Sequence, residues 1–361
     1  MSILRKIRVL VVDDSAVVRR MITEALSLDP EIEVVGSACD PFVARDRILE
    51  LNPDVMTLDI EMPRMDGLTF LRILQQHRPM PVVIISSLTQ AGSRAALDAM
   101  EYGAVDVLAK PQSAWNLGDL RDQLARRVKG AMRARLSNLR VGSAKSAPLT
   151  ATEADGNYQS RQLVVMGAST GGTEALKDVL TRLPVGLPGI LIVQHIPPVF
   201  SKTFAERLNE VCALEVREAA HGDDLRPGMA LIAPGDYHMV VVWENGGYRV
   251  QLRQDPPIHH TRPAVDMLFN SAAKAAGAAA VGVLLTGMGR DGASGMQQLK
   301  AVGATNLVQN EETCVVYGMP RAAVELGVVD RVLPLDHMPH AILHALREQS
   351  PLKSEKSVAS K

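Results

Sequence analysis

The sequence predicts an α/β protein of two doubly wound parallel-sheet domains joined by a flexible linker. Three observations carry that prediction. Short β-branched runs alternate with helical patterns in two separate blocks of the chain, the pattern of sheets covered by helices on both faces. Between about 137 and 159 the alternation stops, in a stretch rich in Ser, Ala, Thr and Gly that shows no period. At 361 residues, 47% hydrophobic and 22% charged, the chain can fill two or three packed cores. The expected boundaries are 1–128 for the first domain, 129–160 for the linker, 161–350 for the second domain and 351–361 for a polar, frayed tail.

In the first block, Ile7 to Val12 reads as a buried strand, and Ala16 to Leu28 as an amphipathic helix stopped by Asp29-Pro30. Strands follow at Glu33 to Ala38, Asp54 to Leu58, Val82 to Ile85 and Val105 to Leu108. Helical patterns fall between them near 41–50, 66–77 and 91–101, with a last helix over about 116–136. In the second block, strands are expected at Gln162 to Met166, Gly189 to Val193, Met229 to Ala233, Ala280 to Leu285 and Ala304 to Val308. Helices are expected near 173–183, 200–211, 263–276, 291–302 and 336–348. A hairpin from Met239 to Trp243 and Tyr248 to Arg253 turns at Asn245-Gly246-Gly247, a strong two-residue turn signal.

Composition excludes several classes of function. No apolar run approaches the ~18–20 residues of a membrane span, and the N-terminus has no apolar core of a signal peptide. Cys39, Cys212 and Cys314 are widely spaced, without a metal-ligand or disulfide pattern, so a reducing cytoplasm is expected. Net charge is −1; residues 1–128 carry 15 basic and 18 acidic side chains, and 161–350 carry 16 and 19. Neither block has the basic excess of a nucleic-acid-binding domain.

In block one the polar residues fall at strand carboxyl ends: Asp13 and Asp14 after the first strand, Asp59 after the third, Ser86 after the fourth and Lys110 after the fifth. Those ends line the ligand crevice of an open parallel sheet. Two carboxylates ~4 Å apart repel by ~4 kcal/mol at an effective dielectric of ~20, so three together call for a cation, and hard oxygen ligands favour Mg²⁺. The chemistry that fits is phosphoryl transfer onto a carboxylate, with Lys110 and Ser86 holding phosphoryl oxygens. Each residue alone reads as well as a solvated loop side chain; five in register do not.

In block two, Gly167-Ala168-Ser169-Thr170-Gly171-Gly172 places G-x-S-x-G between a strand and a helix. It reads as a nucleophile elbow exposing Ser169 and equally as a glycine-rich phosphate loop. His195, in Gln194-His195-Ile196-Pro197-Pro198, ends the neighbouring strand and can serve as base. Asp291, in Thr286-Gly287-Met288-Gly289-Arg290-Asp291-Gly292, ends another and can orient the imidazole or cap the next helix. The glycines near Met288 allow backbone N–H groups to form an oxyanion hole, with Thr170 beside the nucleophile as a further candidate. Arg262 is a permanent planar cation suited to a substrate carboxylate or carbonyl. His221, His238, His259 and His260 read as surface or wall residues. The order serine, histidine, aspartate departs from that of the α/β-hydrolases.

Two resemblances follow from these motifs. Val11-Val12-Asp13-Asp14-Ser15, Leu58-Asp59-Ile60-Glu61-Met62-Pro63, Ile85-Ser86-Ser87 and Ala109-Lys110-Pro111 resemble the receiver domain of response regulators over about 1–125. That resemblance implies Asp59 as phosphoacceptor, Asp13 and Asp14 with it as Mg²⁺ ligands, and a histidine kinase as phosphodonor. Val107 stands where many receivers carry an aromatic switch residue. The serine, histidine and aspartate motifs, with Ala233-Pro234-Gly235-Asp236-Tyr237-His238, resemble the chemotaxis protein-glutamate methylesterases (the CheB family) over about 161–347. This implies a Ser169–His195–Asp291 catalytic triad that demethylates, and deamidates, chemoreceptors. It further implies activation by phosphorylation of a receiver docked over the cleft, and no metal in the catalytic domain. A cytoplasmic monomer that neither binds nucleic acid nor inserts in a membrane is expected. The rival readings are a regulator with a DNA-binding output, an esterase of small metabolites, and an inactive adaptor.

Overall fold

A computed structural model describes residues 5–87, 89–110, 117–139 and 158–349, the side chains of 117–119 excepted. Pro111 of the Lys110 motif, most of the expected linker and the expected tail 351–361 lie outside the described residues. The chain divides into two compact units.

The first unit alternates strand and helix throughout: β1 Ile7–Val12, α1 Ala16–Ser27, β2 Ile32–Ala38, α2 Pro41–Leu51, β3 Val55–Asp59, α3 Gly67–His77, β4 Val82–Ser86, α4 Gln90–Glu101, β5 Asp106–Ala109 and α5 Leu117–Met132. The sheet is parallel in the order β2-β1-β3-β4-β5. Val9 to Val12 and Val82 to Ile85 are buried without alternation, because helices cover both faces of the sheet. Side-chain caps start four helices just beyond strand ends. Ser15 accepts from Val18 N–H, Asp40 from Phe42 and Val43, Asp66 from Thr69, and Thr89 from Gly92. These caps hold the loops that carry the polar residues. The last helix stops at Met132, short of the expected 136, and Leu136–Asn138 forms a separate 3₁₀ turn.

The second unit contains β6 Leu163–Ala168, α6 Gly172–Leu180, β7 Ile190–Gln194, α7 Phe200–Val211, β8 Glu215–Glu218, β9 Asp224–Leu225, β10 Met229–Ile232, β11 His238–Glu244, β12 Gly247–Arg253, α8 Val265–Ala276, β13 Ala280–Leu284, α9 Ala293–Ala301, β14 Thr305–Gln309, α10 Met319–Glu325, β15 Arg331–Leu333 and α11 Met338–Glu348. Seven strands form one sheet in the order β15-β14-β13-β6-β7-β10-β8, and every neighbouring pair is parallel. The chain starts at β6, winds outward through β7, then returns to β13 on the other side of β6. That reversal is a topological switch point. The expected hairpin is β11–β12, turning at Asn245 (φ 51°) and Gly246 (φ 81°), the two left-handed residues of a type I′ turn. With β9 it forms a second, antiparallel sheet. Helix α8 packs Val265, Leu268, Phe269 and Ala272 into the core shared with Met239, Val241 and Val250.

Four short elements exceed the sequence expectation: β8, β9, β15 and α10. Both β8 (Glu-Val-Arg-Glu) and β15 are sheet edges that bear charged residues and are only partly buried, and so lack the buried-strand pattern. The seven residues of α10, opening Met-Pro, are too few to show a helical period.

Candidate active site

Ser169, His195 and Asp291 lie in the loops that leave β6, β7 and β13, three adjacent strands at the switch point. The Ser169 Oγ is 3.1 Å from His195 Nδ1, and His195 Nε2 is 2.8 Å from Asp291 Oδ2. An ionised carboxylate only accepts hydrogen bonds, so Nε2 carries the proton and Nδ1 presents its lone pair to the serine. Relative to the serine-protease template, the two ring nitrogens exchange roles. The imidazole is 9% exposed and the aspartate side chain 3%, so the relay is nearly dry.

The nucleophile's backbone is held on every side. Ser169 N–H donates to Thr286 O at 3.0 Å, and its carbonyl accepts from Gly172 N–H at 2.7 Å and Gln194 Nε2 at 2.9 Å. Gly171 has φ 75°, the left-handed conformation that a sharp strand-to-helix turn demands. Across the cleft, a Cβ on Gly287 would collide with Met319 Sδ and come 2.8 Å from Ser169 Cβ.

Asp291 is anchored by the start of α8. Its Oδ1 accepts Asp266 N–H at 2.9 Å, while Oδ2 accepts Val265 N–H at 2.7 Å in addition to the imidazole. The α8 N-cap, Ala264, offers no side-chain cap, and Asp291 takes that place; α9, the other helix it was a candidate to cap, is capped by Asp266 Oδ1 through the Gly292 and Gly295 amides. Burial pushes the Asp291 carboxyl up. The hydrogen bond and charge of His195, with the two amides, outweigh it and hold the group below the usual carboxylate range.

The remaining residues expected here fall as follows. Thr170 is buried beside the nucleophile, its carbonyl accepting from Thr286 Oγ1 at 3.0 Å. Met288 is half-buried on the loop after β13, where Gly318 packs against its backbone. Arg262 is committed locally: Nε and Nη2 reach Asp236 Oδ1 at 3.0 and 2.6 Å, and Nη1 reaches the Gln254 and Asp255 carbonyls. It can meet a substrate only by exchanging those partners. His238 is a fully buried wall residue, accepting from Ala264 N–H and facing the Pro256 carbonyl. Sequence reading missed Gln194, Thr286 and Asp266 as supports. All three are buried polar residues at strand ends or at a helix start, and the visible signal was a lone polar residue closing an apolar run.

In the first unit, Asp13, Asp14, Asp59, Ser86 and Lys110 gather at the carboxyl ends of β1, β3, β4 and β5, across the β1/β3 switch point. Lys110 Nζ lies 2.6 Å from Asp59 Oδ2 and 3.3 Å from Asp13 Oδ2. Ser86 Oγ donates to Gly92 O at 3.1 Å. Burial pushes Asp59 up to about 6, with Asp13 adding to the rise and Lys110 opposing it; burial raises Asp13 too. Asp13, Asp14 and Asp59 each bring a carboxylate oxygen within 4.8 Å of the others, and buried Asp13 Oδ2 faces the Lys110 ammonium at 3.3 Å. Three carboxylates in one cluster with a single ammonium among them suit a hard divalent cation such as Mg²⁺.

Two stretches of the chain match known families. Residues 164–342 match the CheB methylesterase family and residues 9–121 the response regulator receiver domain. A protein-glutamate methylesterase/protein-glutamine glutaminase of Syntrophus aciditrophicus is 53% identical over 344 residues, covering 94% of this chain and 98% of that one. A protein of the same description from Syntrophotalea carbinolica is 48% identical over 349 residues, 96% and 99% of the two chains. The crystal structure of the Thermotoga maritima CheB methylesterase catalytic domain is 40% identical, with a TM-score of 0.50, over 51% of this chain and 97% of that one. These matches show the family: this chain belongs to the CheB methylesterase family, with a response regulator receiver domain ahead of its methylesterase domain.

Proposed function

We propose that the chain hydrolyses glutamate methyl esters, and deamidates specific glutamines, on the cytoplasmic segments of chemoreceptors, under control of phosphorylation at Asp59. The observation that carries this reading is the Ser169–His195–Asp291 relay at 3.1 and 2.8 Å. Ser169 Oγ attacks the ester carbonyl carbon as its proton passes to His195 Nδ1. The C–O bond to the methoxy group then breaks, methanol leaving with the proton from Nδ1. Water attacks the glutamyl-serine ester by the same proton route and restores the free serine. With a glutamine side chain, ammonia is the leaving group. Asp291 holds the Nε2 proton and stabilises the imidazolium. Ser169 N–H is spent on Thr286, so the developing oxyanion falls to backbone around Thr170 and Met288. Arg262 serves a substrate carboxylate or carbonyl once Asp236 is exchanged for it.

In this reading residues 1–128 are the receiver, 129–160 the linker, 161–350 the esterase and 351–361 a tail. Asp59 takes the phosphoryl group from a histidine kinase, and Lys110 and Ser86 hold its oxygens. Asp13, Asp14 and Asp59 would hold Mg²⁺, which neutralises phosphoryl charge. Among the described residues no helix is long and apolar enough to cross a membrane, and the three cysteines are free. The reading places the chain in the cytoplasm as a monomer.

The test is methanol release from methylated receptor by wild type and Ser169→Ala, each with and without a small-molecule phosphodonor. Wild type releases methanol faster with the donor, and Ser169→Ala releases none. Undiminished release by Ser169→Ala overturns the assignment.

A further inference from the structure

The support beneath Asp291 extends one step further than the triad. Asp266 Oδ1 accepts Gly292 N–H at 3.0 Å and Gly295 N–H at 2.6 Å, while its own N–H donates to Asp291 Oδ1 at 2.9 Å. One buried carboxylate therefore holds the first turn of α9, which starts directly after Asp291. Its second oxygen, Oδ2, lies 3.4 Å from His259 Nε2. The three residues bring ligand-type atoms within 4.8 Å of one another.

His259 differs from the other members in reaching the surface: its side chain is 43% exposed and that of Asp266 only 7%. It sits in an unusual turn. Ile258 and Thr261 exchange backbone hydrogen bonds at 3.1 and 2.9 Å, and Thr261 Oγ1 also donates to Ile258 O. The two residues between them, His259 and His260, have φ 51° and 59°. Such turns ordinarily carry Asn or Gly, so two histidines there put strained backbone beside the site.

We propose that His259 and Asp266 form a second imidazole–carboxylate pair that positions Asp291 and, through it, the His195 ring, with His259 as its solvent-facing end. This rests on the esterase reading above. Two carboxylates packed side by side repel, and burial with the Asp291 charge alongside raises the Asp266 carboxyl, while His259 opposes that rise. Positive charge on His259 Nε2, 3.4 Å from Asp266 Oδ2, favours the ionised carboxylate that accepts from the Gly292 and Gly295 amides. The groups facing Asp266 are Asp291 from the loop after β13 and His259 from the loop before α8. His195 lies beyond Asp291, and His238 meets the α8 start through Ala264 N–H.

The charges give opposite signs to two substitutions, which separates positioning from mere scaffolding. His259→Gln removes a cation and so favours the protonated triad imidazole. Asp266→Asn removes an anion and disfavours it. The experiment is methanol release from methylated receptor by the full chain, followed against pH in wild type, His259→Gln, Asp266→Asn and the double variant. The acidic limb of kcat moves up by several tenths of a pH unit in His259→Gln and down by a similar amount in Asp266→Asn. In Asp266→Asn, kcat at pH 7 falls roughly tenfold with KM within about twofold. In the double variant the two opposite limb shifts offset, while the fall in kcat at pH 7 stays that of Asp266→Asn. Single-variant profiles that superimpose on wild type, or move in the same direction, overturn the proposal. Should Asp266→Asn fail to fold, the exposed His259→Gln decides alone by whether its limb moves. A wild type that releases no methanol defeats the esterase reading itself, a distinguishable failure.

Discussion

Replacing Asp291 by asparagine tests the relay and its amide cage together. Asp291 meets three donors with two oxygens: Oδ2 takes His195 Nε2–H at 2.8 Å and Val265 N–H at 2.7 Å, and Oδ1 takes Asp266 N–H at 2.9 Å. An asparagine must turn its NH₂ toward one set. At the Oδ2 position two donors are orphaned, and at the Oδ1 position only one. Each orphaned buried donor costs about 1–3 kcal/mol, so the amide turns its oxygen to His195 and leaves Asp266 N–H unmet. The imidazole then keeps its working tautomer, unlike the serine-protease template, where Asp→Asn reverses it and costs ~10⁴ in kcat. What is lost is charge. An ion pair ~4 Å apart at an effective dielectric of ~20 is worth ~4 kcal/mol, or ~10³ in rate. The expected result is a kcat for methanol release down ~10³ with KM nearly unchanged, and a melting temperature lower by roughly 2–4 °C for each kcal/mol lost. Stopped assays of methanol and scanning calorimetry measure both. A kcat within tenfold of wild type refutes the charged orienter, and an unchanged Tm refutes the amide count.

Gly287→Ala puts a methyl group against Met319 Sδ and 2.8 Å from Ser169 Cβ. Overpacking of about 1–3 kcal/mol and a displaced nucleophile lower both Tm and kcat, the latter approaching ~10²; a Tm loss alone would show that Ser169 does not move. Asp59→Asn keeps basal esterase activity and loses stimulation by a phosphodonor, and unaltered stimulation would remove Asp59 as the acceptor. The same variant has a pH signature in stability. Because the folded carboxyl sits at about 6 against an ordinary 3.8, ionising Asp59 costs the folded state up to ~3 kcal/mol as pH rises from about 4 to 6. Asp59→Asn therefore melts higher than wild type at pH 7 in chelator, and the gap closes below pH 4. A constant gap across that window contradicts the account. Mg²⁺ added at pH 7 raises the wild-type receiver Tm and has little effect on Asp59→Asn, as thermal unfolding with and without the ion will show.

Much of this was legible in the residues themselves. The β-branched runs placed both parallel sheets, because strands buried on both faces must be apolar throughout. Strand ends face the ligand crevice, so Ser169, His195, Asp291 and the carboxylates Asp13, Asp14 and Asp59 stood out by position, and the receiver resemblance then picked Asp59 from that set. The Asn245-Gly246 turn was visible because only left-handed residues close a two-residue hairpin. The limits are as physical. The edge strands β8 and β15 carry charge where solvent meets them, so nothing in their composition distinguishes them from loops. Which imidazole nitrogen meets the serine, whether Asp291 caps α8 or α9, and how Arg262 spends its donors depend on approach distances between segments 26 to 96 residues apart. Periodicity encodes which face of an element is buried, but a hydrogen bond between distant loops exists only once the sheet order brings them together. Asp266 and His259 belong to that second category: two ordinary polar residues in the sequence, made into a support for the triad by the return of the chain from β6 to β13.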